Sequence, residues 1–176
     1  ISEKSATPAE PVVPPASPAE VTLIESTLGS SDHKAIGRMW ILSGLLFLAL
    51  DLVVSAMVNA DVAARASLDA EGFLARGAAQ RLALNAPLGL LFCGALPLLI
   101  GLATYVVPLQ VGSPMIAFPR AAAAAFWSWV MSAVIFLIAV AVDGSYGGTR
   151  EQMARLGNVA VGAMMIALLV ASVCVA

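Results

Sequence analysis

Residues 39–58 read MWILSGLLFLALDLVVSAMV, twenty positions with a single ionisable side chain, Asp51. An α-helix rises about 1.5 Å per residue and a bilayer's hydrocarbon core is about 30 Å thick, so a run of this length crosses it. The run has none of the period-two alternation that a strand of a membrane barrel needs. Three more apolar stretches follow at 82–107, 121–142 and 159–176. Pro87 and Pro97 interrupt the second; each removes a backbone donor and bends a helix, which neighbouring membrane helices can accommodate. The sequence therefore predicts an all-α integral membrane protein with four transmembrane helices.

The composition points the same way. Of 176 residues, 60% are hydrophobic and only 11% charged, with a net charge of −2, and the mean hydropathy is +0.93. A soluble domain would carry about a quarter charged residues. A soluble enzyme is excluded, and without a basic excess there is no electrostatic footprint for nucleic acid. One histidine and two cysteines leave little for zinc, copper or haem ligation. Cys93 and Cys174 fall inside apolar stretches and read as small packing residues rather than a disulfide.

Ahead of the four-helix domain (31–176) lies a tail (1–30) carrying Pro8, Pro11, Pro14, Pro15 and Pro18. That composition gives an extended coil unless something holds it, and a partner protein is the expected support. Ser30, Ser31 and Asp32 are helix-capping types just before the first helix. Basic residues do not orient the bundle. With the N-terminus inside, Lys4, Lys34, Arg38 and Arg120 lie inside, and Arg65, Arg76, Arg81, Arg150 and Arg155 outside, which is no bias.

Asp51 is costly at mid-membrane, about 2.5–3.5 kcal/mol on insertion scales. It reads as a neutral or hydrogen-bonded acid at a helix interface, or alternatively as a proton relay. Pro87 and Pro97 set the curvature of helix two; the alternative is a broken transporter helix. Ala121–Ala125, Gly157, Ala160, Gly162 and Ala163 offer small surfaces for close helix approach. Trp40 and Trp127 suit an interfacial belt, and Trp129 has no clear place. Gly144, Gly147 and Gly148 around Tyr146 make a turn without the Lys and Ser/Thr of a phosphate loop.

Two further strings carry a resemblance. Asp32-His33-Lys34-Ala35-Ile36-Gly37-Arg38 resembles the lead-in to the first helix of subunit I of the haem–copper terminal oxidases. Tyr105-Val106-Val107-Pro108-Leu109-Gln110-Val111-Gly112-Ser113-Pro114, continuing through Ala117-Phe118-Pro119-Arg120 to Phe126-Trp127, resembles that family's link between helices two and three. The likeness runs from Asp32 to about Trp129, so the chain reads as a truncated, degenerate paralogue resembling the family's first four helices. It implies a multi-pass protein of the bacterial plasma membrane, with its N-terminus and the helix two–three link cytoplasmic.

The same resemblance implies that the chemistry has been lost. Counting eleven residues back from Pro97, as the family's low-spin haem ligand requires, reaches Ala86, between Asn85 and Pro87. Alanine has no lone pair for iron, and asparagine is not among the usual haem ligands. Met115 stands where the family has the aspartate of a proton-channel mouth. Ala121–Ala125 replace channel asparagines, and Asn59 replaces an arginine that supports the haem. His33 reads as a polar residue at the membrane edge. No catalytic, cofactor-binding or metal-binding residue is expected in this chain; haem and copper are expected in a partner oxidase.

The expected function is that of a non-catalytic accessory subunit, stabilising a bacterial terminal cytochrome c oxidase or its respiratory supercomplex. Terminal-oxidase subunits, a cytochrome bc complex and lipids are the expected partners. Two alternatives stand beside it: a transient oxidase assembly factor, and a small independent transporter or proton-conducting protein using Asp51.

Overall fold

The computed structural model describes residues 32–68, 72–113, 116–142 and 151–176. The proline-rich tail, Pro114, Met115 and the glycines around Tyr146 lie outside the described residues. The chain forms α1 (His33–Leu68), α2 (Arg76–Leu88), a π-helical stretch (Gly89–Ala95), α3 (Leu96–Val111), α4 (Pro119–Ala141) and α5 (Glu151–Val175). The α2, π and α3 segments follow without a break, leaving four rods, each long and apolar enough to cross a membrane. This is a multi-pass, all-α membrane protein. Large side chains such as Leu42, Leu46, Leu52, Val159 and Ile166 are exposed on its outer surface, where a bilayer would meet them.

The helices outlast the apolar stretches that mark them in the sequence. With 36 residues, α1 is about 54 Å long, well beyond the bilayer core. Residues 59–68, 76–81 and 151–158 are helical, although the hydropathy pattern assigns them to connections. Ala60, Ala63, Ala64, Arg65 and Ala66 are strong helix formers, and a helix closes its own hydrogen bonds whether lipid or water surrounds it. Asp32 starts α1 by accepting a hydrogen bond from the Lys34 N–H at 2.9 Å, the expected capping geometry. Gly112, at φ 73°, ends α3 in the left-handed conformation and donates its N–H to the Pro108 carbonyl, as C-terminal glycines do.

Packing divides the bundle into two helix pairs. In the first, α1 crosses the second rod, its π-helical stretch and α3, on four glycines. A Cβ on Gly37 would stand 3.0 Å from the Tyr105 Cβ, one on Gly44 2.9 Å from the Leu98 nitrogen, and one on Gly101 2.7 Å from the Ile41 nitrogen. The fourth, Gly94, receives the Leu48 side chain. In the second pair, Ala122, Ala125 and Ala133 of α4 are buried, as are Ala160, Met164 and Ala167 of α5. Of the small residues singled out in the sequence, Ala124 is exposed and Gly162 faces open space; neither serves helix approach.

An aromatic cluster joins the two pairs. Trp40 lies 5.1 Å from Trp129 and 5.2 Å from Phe126, ring to ring, and Phe47 lies 5.5 Å from Trp129. Trp40 is 1% exposed and Trp129 is fully buried. This corrects the belt assignment of Trp40: its helix face points at α4, so the ring packs in the core. Trp127 is half-buried, edge-on to Phe126.

Trp129 also explains how the π-helical stretch is tolerated. In that stretch the Leu96 N–H bonds to the Leu91 carbonyl, five residues back. The same register would pair the Phe92 carbonyl with residue 97, which is Pro97 and has no N–H. The Trp129 indole Nε1–H donates to the Phe92 carbonyl instead, at 2.9 Å. A donor from α4 thus fills the vacancy that Pro97 creates, and the buried carbonyl is satisfied.

Candidate functional site

The residues that carry chemistry converge where α1 and α2 separate. Asp51 of α1 and Asn85, Ala86, Gly89 and Cys93 of the second rod line one cavity of about 80 Å³, closed on its third side by Phe136 of α4. Asn85 is buried at 3% exposure, and its Nδ2 donates to the Arg81 carbonyl at 2.7 Å. Asp51 is half-buried, its carboxylate close enough to Gly89 that a Cβ there would stand 3.2 Å from Oδ1. A larger residue than glycine at 89 would push into the carboxylate.

The cavity is the inner end of a longer groove. It shares Val54, Leu82 and Ala86 with a widening of about 190 Å³ that Ser55 and Asn59 also line. That widening shares Val58 and Ala83 with a third, of about 290 Å³, bounded by Asp61, Arg65 and Gln80. On α1, Asp51, Ser55 and Asn59 recur every four residues and so lie along one side of the helix. Opposite them, α2 presents Ala79, Ala83 and Ala86, whose size leaves the space open.

A clasp holds the groove's outer end. Asp61 is fully buried; its Oδ2 accepts from Arg65 Nε at 2.8 Å and its Oδ1 from the Leu74 N–H at 2.9 Å. Arg65 also donates to the Leu74 carbonyl. Gly72 lies so close that a Cβ would collide with both the carboxylate and the guanidinium. The pair ties the start of the second rod to the end of α1. In the sequence, Asp61 and Arg65 look like ordinary charges of a polar loop; only their helical i, i+4 spacing hints at a pair.

Other residues named from the sequence lie apart. His33 sits at the far end of α1, eighteen positions from Asp51 or about 27 Å along the axis; it is buried, with Nε2 lacking a partner among the described residues. Arg38 lies over the Tyr105 ring at 6.0 Å, and Ile36 and Ile116 share the core cluster. The head of α1 and the link after α3 therefore meet at one end of the bundle. Cys93 and Cys174 are both free and buried; Cys93 packs 3.7 Å from the Met164 sulfur. Among the described residues no three of His, Cys, Asp and Glu come together.

Comparison with known proteins places this geometry. No family model matches the chain. Over 114 residues it is 32% identical to quinol oxidase subunit 1 of Bacillus subtilis, covering 65% of this chain and 17% of that protein. It is 32% identical over 118 residues to cytochrome c oxidase subunit 1 of Corynebacterium glutamicum, covering 65% and 19%. A third relative is the heme-copper oxidase subunit I+III of Aeropyrum pernix, 31% identical over 108 residues, covering 61% and 13%. The chain resembles part of haem–copper oxidase subunit I. It spans less than a fifth of the length of each of these relatives.

The position that the resemblance gives to a haem ligand offers iron nothing to bind. Ala86, at the position the resemblance gives to a haem ligand, has no donor atom, and neither does the cavity wall around it beyond Asp51, Asn85 and Cys93. The π-helical stretch also lies between Asn85 and Pro97, so a count that presumes a regular α-helix is offset in face by one residue. The offset brings Asn85 to the same cavity, and the chemistry is unchanged.

Proposed function

We infer that this oxidase-related chain is a non-catalytic accessory subunit of a bacterial terminal oxidase, or of the supercomplex that joins one to a cytochrome bc complex. One observation carries the reading: the strings that resemble oxidase subunit I fold into a packed bundle, while the position that the resemblance gives to a haem ligand holds Ala86, which has no donor atom. In this reading selection has kept a scaffold and dropped the redox centre. The chain sits in the plasma membrane with its N-terminus cytoplasmic. Haem and copper belong to the partner oxidase.

A mild-detergent pull-down on the tagged chain tests this, with subunit mass spectrometry and a reduced-minus-oxidised haem spectrum. The expected result is oxidase subunits and haem recovered near one copy per chain. Oxidase recovered well below that ratio, and only from growing cells, identifies a transient assembly factor. A colourless chain recovered alone overturns both.

A further inference from the structure

We propose that the groove between α1 and α2 is the seat of a transmembrane helix from a partner protein, one that carries a lysine or arginine at mid-membrane depth to pair with Asp51. The proposal rests on the accessory-subunit reading above for the existence of a partner, and it names the face where that partner sits. The groove has the shape of a helix site. It follows α1 from Phe47 to Asn59, about 18 Å or more than three helical turns. Its walls are mostly apolar, and exposed Leu50, Asn59 and Ala83 on its rims leave it open along the outer side, so a helix can enter it sideways from the lipid. On α2 the wall is built of Ala79, Ala83 and Ala86, small residues of the kind that let membrane helices approach closely.

Asp51 decides the occupant. It lies in the apolar stretch 39–58, half-buried at the groove's inner end, and among the described residues its carboxyl makes no hydrogen bond or ion pair. Ionisable groups at that depth characteristically pair with one another, and the open groove is where a counter-charge can reach this one. The chain itself holds no candidate: the stretches 39–58, 82–107, 121–142 and 159–176 contain no lysine, arginine or histidine. Arg65 is bound to Asp61, and Arg81 lines none of the three widenings. A second copy of the chain therefore brings no cation to that depth. Nor does an acyl chain, since lipid headgroups stand at the surface, about 15 Å from the mid-plane. A partner helix with a basic residue at mid-depth meets both demands. Its apolar side chains cover the groove, and its cation offsets the cost that each charge carries alone. The pair also sets the depth at which the helix sits, as buried polar groups set register between packed helices.

Photo-cross-linking in native membranes tests this. Leu50 borders the groove beside Asp51, whereas Leu52 is exposed on the outer face. The photoreactive residue p-benzoylphenylalanine at position 50 should capture a peptide of another protein that has lysine or arginine within one helical turn of its membrane centre; at position 52 it should capture lipid. Adding Asp51→Asn should cut the capture at position 50 about tenfold, the effect of one interhelical polar contact in model membrane helices. Changing the captured basic residue to methionine should do the same, and the two changes together should cost no more than either. Lipid adducts alone at position 50, a second copy of this chain, or a helix without a mid-membrane basic residue overturns the proposal. Should the substituted chains misfold, the unsubstituted one decides. A hydrophobic carbodiimide should modify Asp51 about tenfold more slowly at native abundance than when the chain is overproduced beyond its partner, because a counter-charge lowers the protonated fraction that reacts; equal rates overturn the docking face. The two readings fail separately. Oxidase subunits that co-purify while position 50 captures only lipid remove the docking face alone, and a basic helix captured from a protein outside the oxidase removes the oxidase reading alone.

Discussion

Trp129 is the residue on which most of the interior depends, because it supplies three ring contacts and one hydrogen bond. Trp129→Phe keeps an aromatic ring but removes the indole donor, leaving the Phe92 carbonyl unpaired in an apolar setting. An unsatisfied buried acceptor costs about 1–3 kcal/mol. Thermal unfolding in detergent should show that loss, and Trp127→Phe, which removes an indole N–H lacking a partner among the described residues, should not. Asp61 makes a second prediction at this scale. Asp61→Asn removes the charge that pairs with Arg65 and weakens the bond from Leu74. Hydrogen bonds to charged groups contribute about 1.5–3 kcal/mol, and Arg65 keeps some contact with solvent, so the lower half of that range is expected. Limited proteolysis should then cut faster between α1 and α2. Neither residue announces itself in the sequence. The partner of Trp129 is a main-chain carbonyl freed by Pro97, and no side-chain pattern records that.

Among the elements, four rods were legible because a bilayer imposes a minimum apolar length, and residues 39–58 meet it on their own. Their ends were less legible, since hydropathy marks where lipid begins and not where a helix stops: 59–68 stays helical through its alanines. Close approach was read from Ala121–Ala125, Gly157, Ala160, Gly162 and Ala163 on composition, and Ala122, Ala125, Gly157 and Ala160 are buried in the α4–α5 pair, but the glycines of the other pair, Gly37, Gly44 and Gly101, were not singled out. A small residue permits approach without specifying a neighbour, and only the crossing of α1 and α3 decides which glycines are used. Two substitutions separate these cases. Gly101→Ala would place a Cβ 2.7 Å from the Ile41 nitrogen, and overpacking of this kind costs about 1–3 kcal/mol. Gly162→Ala meets nothing and gains helix propensity, up to about 1 kcal/mol. Unfolding midpoints in detergent should move in opposite directions.

At the scale of the whole molecule, the bundle combines a well-packed joint with an outer surface rich in Leu, Val and Ile, and the proposed role is thermodynamic. A subunit that binds only an assembled oxidase favours that state by mass action, about 2.7 kcal/mol when its effective concentration is a hundred times its dissociation constant. No new chemistry is needed, so loss of the chain should separate two quantities that an active subunit would keep together. Oxidase purified from cells lacking the chain should dissociate at lower temperature or lower detergent concentration, read by native electrophoresis. Its oxygen consumption per intact haem centre, read with an oxygen electrode, should be unchanged. An oxidase that stays assembled but stops consuming oxygen would instead require the chain to act in turnover.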